Sequence, residues 1–221
     1  MKPGWDLSAY LVLDPGLCGG PAGMVETARA AVLGGVRVVQ LRHKTATTVE
    51  MVAIGRELQV ALAGTAAKLV INDDVAAAVE LEADGLHIGQ GDMAAPAARA
   101  AIGPDMVLGL SVETEAQARG VDPAVVDHVG AGPVFATATK PGHAPPVGID
   151  GLRRMLAVCK VPAVAIGGVG PAEAEAAIGA GAVGLAVVSA ICGTPDPAEA
   201  ARDLVWAVRR ARAQRALEQR T

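Results

Sequence analysis

The strongest constraint on this chain is an alternation of short apolar runs with Ala- and Leu-rich helical stretches, sustained over almost its whole length. The runs at 9–13, 36–41, 69–71, 85–88, 106–110, 125–129, 163–166 and 183–188 have the length and near-continuous apolarity of strands buried on both faces. Helical patterns occupy 22–33, 47–63, 96–102, 113–119, 149–158, 171–179 and 197–217, and an Ala/Val/Leu-rich segment separates the third and fourth strands. Local punctuation agrees with this reading. Thr47 or Thr48 with Glu50 suits a capping box, Gly34-Gly35 marks a helix end, and Pro171 suits a first helical position. Eight strands alternating with helices predict an α/β chain forming a single closed (β/α)8 TIM barrel, covering about 8–210 with short flexible tails at both ends. An open doubly wound sheet is the rival, but no GxGxxG follows the first strand.

In such a barrel chemistry collects at the C-terminal ends of the strands. The third strand ends in Asn72-Asp73-Asp74 and the fourth in Gly89-Gln90-Gly91-Asp92. Parallel neighbours end side by side, so Asp73 and Asp92 can converge on a hard divalent cation such as Mg2+. Helix capping is the competing role for both, since Asp is favoured there. The second strand ends Gln40-Leu41-Arg42-His43-Lys44. Its alternation turns Gln40, Arg42 and Lys44 to one side as an anion clamp and leaves His43 on the other, as an outer or surface residue. Lysine is scarce, with five in the chain, which adds weight to Lys44.

Ser111, after the fifth strand, suits either a phosphate contact or a helix cap. The loop 130–148 is too long for an ordinary connection and carries Thr137, Ala138, Thr139 and Lys140, a set of donors without an acid. His143 in the same loop reads as a surface residue. Strand seven ends in Gly167-Gly168-Val169-Gly170 and strand eight in Val188-Ser189, where barrels frequently hold phosphate. Two kinds of anion machinery therefore face one opening. One is a cation-and-carboxylate cluster on strands two to six; the other is a neutral Gly/Ser pocket on strands seven and eight. They predict two phosphate-bearing groups, one of them a metal-bound diphosphate.

Composition narrows the class. Hydrophobic residues make up 52% of the chain and only four residues are aromatic, so the core is built from Ala, Val, Leu and Ile. A net charge of −4 argues against a nucleic-acid partner. The Arg-rich end (Arg209, Arg210, Arg212, Arg215, Arg220) reads as a solvated helix face. Three cysteines without metal-ligand spacing, no signal-like N-terminus and no apolar run of membrane length lead us to expect a soluble cytoplasmic protein without a membrane partner.

The segments VQLRHK, VINDD, DGLHIGQGD, LGLSV, HVGAGPVFATATK, VAIGGV and VVSAI occur in this order. With them the chain strongly resembles the thiamine-phosphate synthase (thiamine-phosphate pyrophosphorylase) family from about Tyr10 to Arg210. The resemblance implies a transferase joining 4-amino-2-methyl-5-(diphosphooxymethyl)pyrimidine to 4-methyl-5-(2-phosphoethyl)thiazole, with Mg2+ as cofactor and a homodimer as the family-level assembly. It implies Asp73 and Asp92 as metal ligands. Gln40, Arg42, Lys44, Asn72, Ser111 and Lys140 become pyrimidine-diphosphate contacts, within a substrate-binding stretch that includes Leu41 and His43. Arg42, Lys44, Ser111 and Lys140 carry the catalytic role. Thr137, Ala138, Thr139, Gly168, Val188 and Ser189 become the thiazole-phosphate pocket. His43 and Gly91 stand where the family commonly has an acid. A thiazole tautomerase would need a general acid/base, with His87 or His143 nearest, and would have little use for the diphosphate cluster. A non-catalytic phosphate-binding barrel is the remaining rival.

Overall fold

Strand alternation sorts side chains between the inside of the sheet and the helices outside it, and the computed structural model, which describes residues 4–137, 139 and 144–218, follows that rule. The strands are β1 (Ala9–Leu13), β2 (Val38–Leu41), β3 (Lys68–Asn72), β4 (Gly85–Ile88), β5 (Val107–Val112), β6 (His128–Ala131), β7 (Ala163–Ile166) and β8 (Gly184–Val187). The helices are α1 (Pro15–Cys18), α2 (Pro21–Leu33), α3 (Thr48–Leu62), α4 (Val75–Glu80), α5 (Ala95–Ile102), α6 (Glu115–Gly120), α7 (Gly148–Val158), α8 (Ala174–Gly179) and α9 (Pro197–Glu218). A 3-10 turn, Pro171–Glu173, leads into α8. Each strand pairs in parallel with its sequence neighbour, and β8 closes the barrel on β1 through Ala9↔Leu185, Tyr10↔Ala186 and Leu11↔Val187.

Tyr10, Val12, Val38, Val70, Val164 and Ala186 point inward and pack with Leu7. Trp5, ahead of β1, stoppers the N-terminal end. Its indole fits because β4 begins with glycine: a Cβ on Gly85 would lie 3.0 Å from Trp5 Cη2. The opposite parity, including Leu11, Leu13, Leu41, Ile71, Leu86 and Leu108, is fully buried against the helices. Each such side chain contributes roughly 1.5–3 kcal/mol relative to exposure. Two carboxylates finish the bottom rim. Asp84 accepts from Leu69 N (2.9 Å) and Lys68 Nζ (2.8 Å); Asp127 accepts from Leu108 N (2.8 Å) and Arg99 Nη2 (2.6 Å).

Most expected elements are present with shifted ends. The Thr47–Glu50 capping box forms, with Thr47 N donating to Glu50 Oε2 at 2.7 Å and Glu50 N to Thr47 Oγ1 at 3.3 Å. Helix α1, absent from the sequence reading, is a single turn that Asp14 caps by accepting from Leu17 N at 3.1 Å. Strand β5 runs to Val112, so Ser111 lies within it, and β6 begins at His128 instead of 125.

Candidate active site

A cavity of about 600 Å³ opens at the C-terminal ends of the strands. Its floor is the last inward-facing layer of the barrel. Gln40 Nε2 donates to Tyr10 Oη at 2.7 Å, and His87 Nε2 lies 2.9 Å from Ser111 Oγ. Ser111 is therefore a floor residue and not a helix cap; Thr114 caps α6, accepting from Gln117 N at 3.2 Å. Burial drives the Tyr10 phenol well above its usual range and keeps it neutral. Beneath the floor His128 is fully buried, its ring centroid 6.0 Å from Tyr10 and 5.8 Å from His87. Among the described residues neither His128 nitrogen has a hydrogen-bond partner. Burial, helped by nearby His87, brings the His128 pKa down to about 3.

One wall is charged. Arg42 sits just past β2 and reaches Asp14 Oδ2 with Nη1 at 3.3 Å, and the Lys44 ammonium pairs with the Asp73 carboxylate. Asp73 takes the left-handed conformation (φ 64°), unusual for a residue with a side chain, while its N–H donates to His87 O at 2.8 Å. Burial raises the Asp73 pKa, the Asp92 carboxyl raises it further, and Lys44 opposes both. The two carboxyl groups thus meet, as the strand ends required. Neither is a helix cap. Asp74 caps α4 by accepting from Ala77 N at 2.9 Å, Ala94 precedes α5, and Asp92 accepts from Gly89 N at 2.7 Å within its own turn. Two clustered carboxylates beside a phosphate-sized opening suit Mg2+, which commonly takes one or two protein carboxylates and completes its shell with water and phosphate oxygens.

The opposite wall is built mainly of glycines and hydroxyls, with the Glu173 carboxylate held against Gly170 N–H. Gly167 (φ 89°) and Gly168 (φ 63°) require glycine twice over: a Cβ on Gly167 would lie 2.5 Å from Pro133 Cβ, and one on Gly168 2.6 Å from Ala136 O. That close approach lets the loop after β6 dock on the β7 tip, with Val134 N donating to Ile166 O and Phe135 N to Gly167 O, both at 2.9 Å. Thr137 and Thr139 consequently face the cavity, beside Val188 and Ser189 from the end of β8.

Gln40, Arg42, Lys44, Asn72, Asp73, Asp92, Ser111, Thr137, Thr139, Gly168, Val188 and Ser189 all line this cavity. Leu41 does not: strand parity buries it completely in the outer core. His43 is also outside the lining, its Nδ1 lying 3.4 Å from Thr45 Oγ1. Ala138, Lys140 and His143 lie outside the described residues. Sequence reasoning passed over Tyr10, Gln90, Glu173 and His128, and named His87 only for a rival chemistry. Strand parity was the available signal for Tyr10, His87 and His128, which occupy inward positions. Gln90 Nε2 donates to Ser111 O at 2.6 Å and Glu173 Oε2 accepts from Gly170 N at 2.8 Å, contacts that no local pattern announces.

A family profile described as thiamine monophosphate synthase matches residues 9–191, a span that includes every lining strand. The chain belongs to that family. It is 42% identical over 210 residues to thiamine-phosphate synthase of Moorella thermoacetica, covering 95% of this chain and 99% of that protein. Identity to thiamine-phosphate synthase of Solidesulfovibrio magneticus is 51% over 204 residues, covering 92% and 96% respectively. The solved thiamine phosphate pyrophosphorylase from Pyrococcus furiosus superposes with a TM-score of 0.85 at 32% identity, covering 95% of this chain and 99% of that one. Among the described residues no helix is long and apolar enough to cross a membrane.

Proposed function

We propose that the chain is a Mg2+-dependent transferase of thiamine biosynthesis. It condenses 4-amino-2-methyl-5-(diphosphooxymethyl)pyrimidine with 4-methyl-5-(2-phosphoethyl)thiazole to thiamine phosphate and pyrophosphate. The observation that carries the reading is the two-walled cavity, with clustered carboxylates and cations on one side and a rim of glycines and hydroxyls on the other. A diphosphate fits the first wall and a monoester phosphate the second. The floor suits an uncharged aminopyrimidine, since Tyr10 stays neutral there, with neutral His128 beneath it, and the Gln40 amide and Ser111 hydroxyl can pair with ring nitrogens and an amine.

The thiazole nitrogen bonds to the pyrimidine methylene carbon as the bond from that carbon to the diphosphate oxygen breaks, and the electron pair leaves with pyrophosphate. An electron-rich pyrimidine stabilises a cation at this carbon, so departure of the diphosphate runs ahead of bond formation and needs no strong base. Mg2+, held by Asp73 and Asp92, supplies Lewis-acid neutralisation of the diphosphate charge when bound. Arg42 and Lys44, with Lys140, meet charge growing on the leaving group; the loss of one such donor typically costs about 2.7–4 kcal/mol of transition-state stabilisation. Thr137, Thr139, Gly168, Val188 and Ser189 hold the thiazole phosphate, which aims its nitrogen at the carbon and converts encounter into a positioned attack.

The test is pyrophosphate release by the purified protein with both substrates and Mg2+, beside an EDTA control and an Asp92→Ala variant. Metal-dependent release with thiamine phosphate formed, lost in the variant, is the expected result. A folded protein that binds the thiazole phosphate but releases no pyrophosphate overturns the proposal.

A further inference from the structure

Closure of the barrel places two cysteines, far apart in sequence, against one another. Cys18 ends α1 after β1, and Cys192 lies in the turn after β8. The two turns are in direct contact, since a Cβ on Gly193 would lie 3.3 Å from Leu17 O and 3.8 Å from Leu17 Cβ. The two thiols interact across this contact, and Cys192 Sγ donates to Val12 O at 3.6 Å. Cys192 is 2% exposed, whereas Cys18 is only partly buried, so one sulfur can meet a solute and the other is shielded behind it. The interaction with Cys192 first, and that with Thr27 after it, outweigh burial and the Asp14 charge, which act in the opposite direction, and bring the Cys18 pKa down to about 6. The same contact, with burial, raises Cys192. A partly accessible, acidified thiol next to a shielded one is the arrangement of an attacking and a resolving cysteine.

We propose that Cys18 and Cys192 form a reversible intramolecular disulfide by exchange with low-molecular-weight disulfides. The Cys18 thiolate attacks one sulfur of glutathione disulfide and expels one glutathione thiolate, leaving a mixed disulfide on Cys18. Cys192 then gives up its proton and attacks the Cys18 sulfur, expelling the second glutathione. The protein dithiol is oxidised by two electrons and one glutathione disulfide is reduced to two glutathione thiols. The bond ties together two rim elements. Asp14, which caps α1, holds Arg42 at 3.3 Å, and Val188 O accepts from Cys192 N at 2.8 Å and Ile191 N at 3.0 Å in the turn that presents Ser189.

The test treats the folded, full-length protein with glutathione disulfide, blocks remaining thiols by alkylation, and maps the products by intact mass and peptide analysis. Wild type is expected to lose two hydrogens, yield a linked Cys18–Cys192 peptide and return to the dithiol with a reductant, while Cys159 stays alkylatable. Cys192→Ser should accumulate the glutathione adduct on Cys18, and Cys18→Ser should take up no glutathione at position 192. Circular dichroism on all three proteins reports the fold. Wild type that stops at a stable adduct on Cys18, or reacts first at Cys159, or stays reduced while the variants are folded, overturns the proposal.

Discussion

His128 offers the sharpest quantitative test of the site's electrostatics. Its ring is fully buried between Tyr10 and His87, without a partner for either nitrogen among the described residues, and its pKa falls from 6.5 to about 3. In the unfolded chain the imidazole gains a proton as pH drops through 6.5, whereas in the folded barrel it stays neutral until near 3. Between those values the unfolded state binds more protons, so stability rises with pH and is lost on acidification. Above the unfolded pKa the contribution is fully present. Each pH unit inside the window is worth about 1.36 kcal/mol, which puts the loss from this group at about 2 kcal/mol by about pH 5. His128→Leu keeps the site apolar and removes the titration. Urea unfolding near neutrality and near pH 5, followed by tryptophan fluorescence, compares the two proteins. Any fixed packing cost of the substitution cancels in the difference between pH values. Wild type should lose about 2 kcal/mol more than the variant over that interval. Equal losses in the two proteins would mean that the folded barrel protonates His128 normally, and the account of a sealed, neutral floor would be wrong.

Four further outcomes follow from the same geometry. Gly168→Ala places a Cβ 2.6 Å from Ala136 O at φ 63°, so it should raise KM for the thiazole phosphate. The strain, about 1–2 kcal/mol, corresponds to about five- to thirtyfold, with the pyrimidine-diphosphate KM little changed in steady-state assays. Lys44→Ala should lower kcat about a hundredfold or more while leaving the urea midpoint nearly unmoved, because its pairing with Asp73 is half exposed. Asp92→Asn removes one of two facing carboxylates, so the Asp73 pKa should fall, and the Mg2+ concentration giving half-maximal activity should rise. Gly109→Ala would set a Cβ 2.4 Å from His87 Nδ1 and 2.6 Å from His128 Cε1; overpacking of this kind costs about 1–3 kcal/mol, visible as a lower melting temperature.

Much of this was legible from local chemistry. Strand alternation set Gln40, Arg42 and Lys44 on one face, and the structure opens all three to the cavity while burying Leu41, which the family resemblance had placed in the substrate-binding stretch. The Thr47/Glu50 cap and the Gly167-Gly168 turn were readable for the same reason: their interactions span only a few residues. Boundaries were less secure where glycine and polar residues interrupt the apolar run. Ser111 accordingly moved from just beyond a strand into β5, and the start of β6 moved from 125 to His128, because ladder hydrogen bonds to the neighbouring strand, and not side-chain apolarity, extend β5 and begin β6.

The sequence by itself determined the succession of strands and helices, the face each strand residue takes and the kinds of groups available at the strand ends. Only the tertiary structure decided which groups meet. Asp74 rather than Asp73 turned out to be the cap because the left-handed backbone at Asp73 swings its carboxyl toward Asp92 and Lys44. Cys18 met Cys192, and Tyr10 met Gln40 and His128, because the parallel ladder sets neighbouring strands side by side and β8 closes on β1. Such encounters depend on barrel register and closure, which are collective properties of all eight strands, so no window of local sequence contains them.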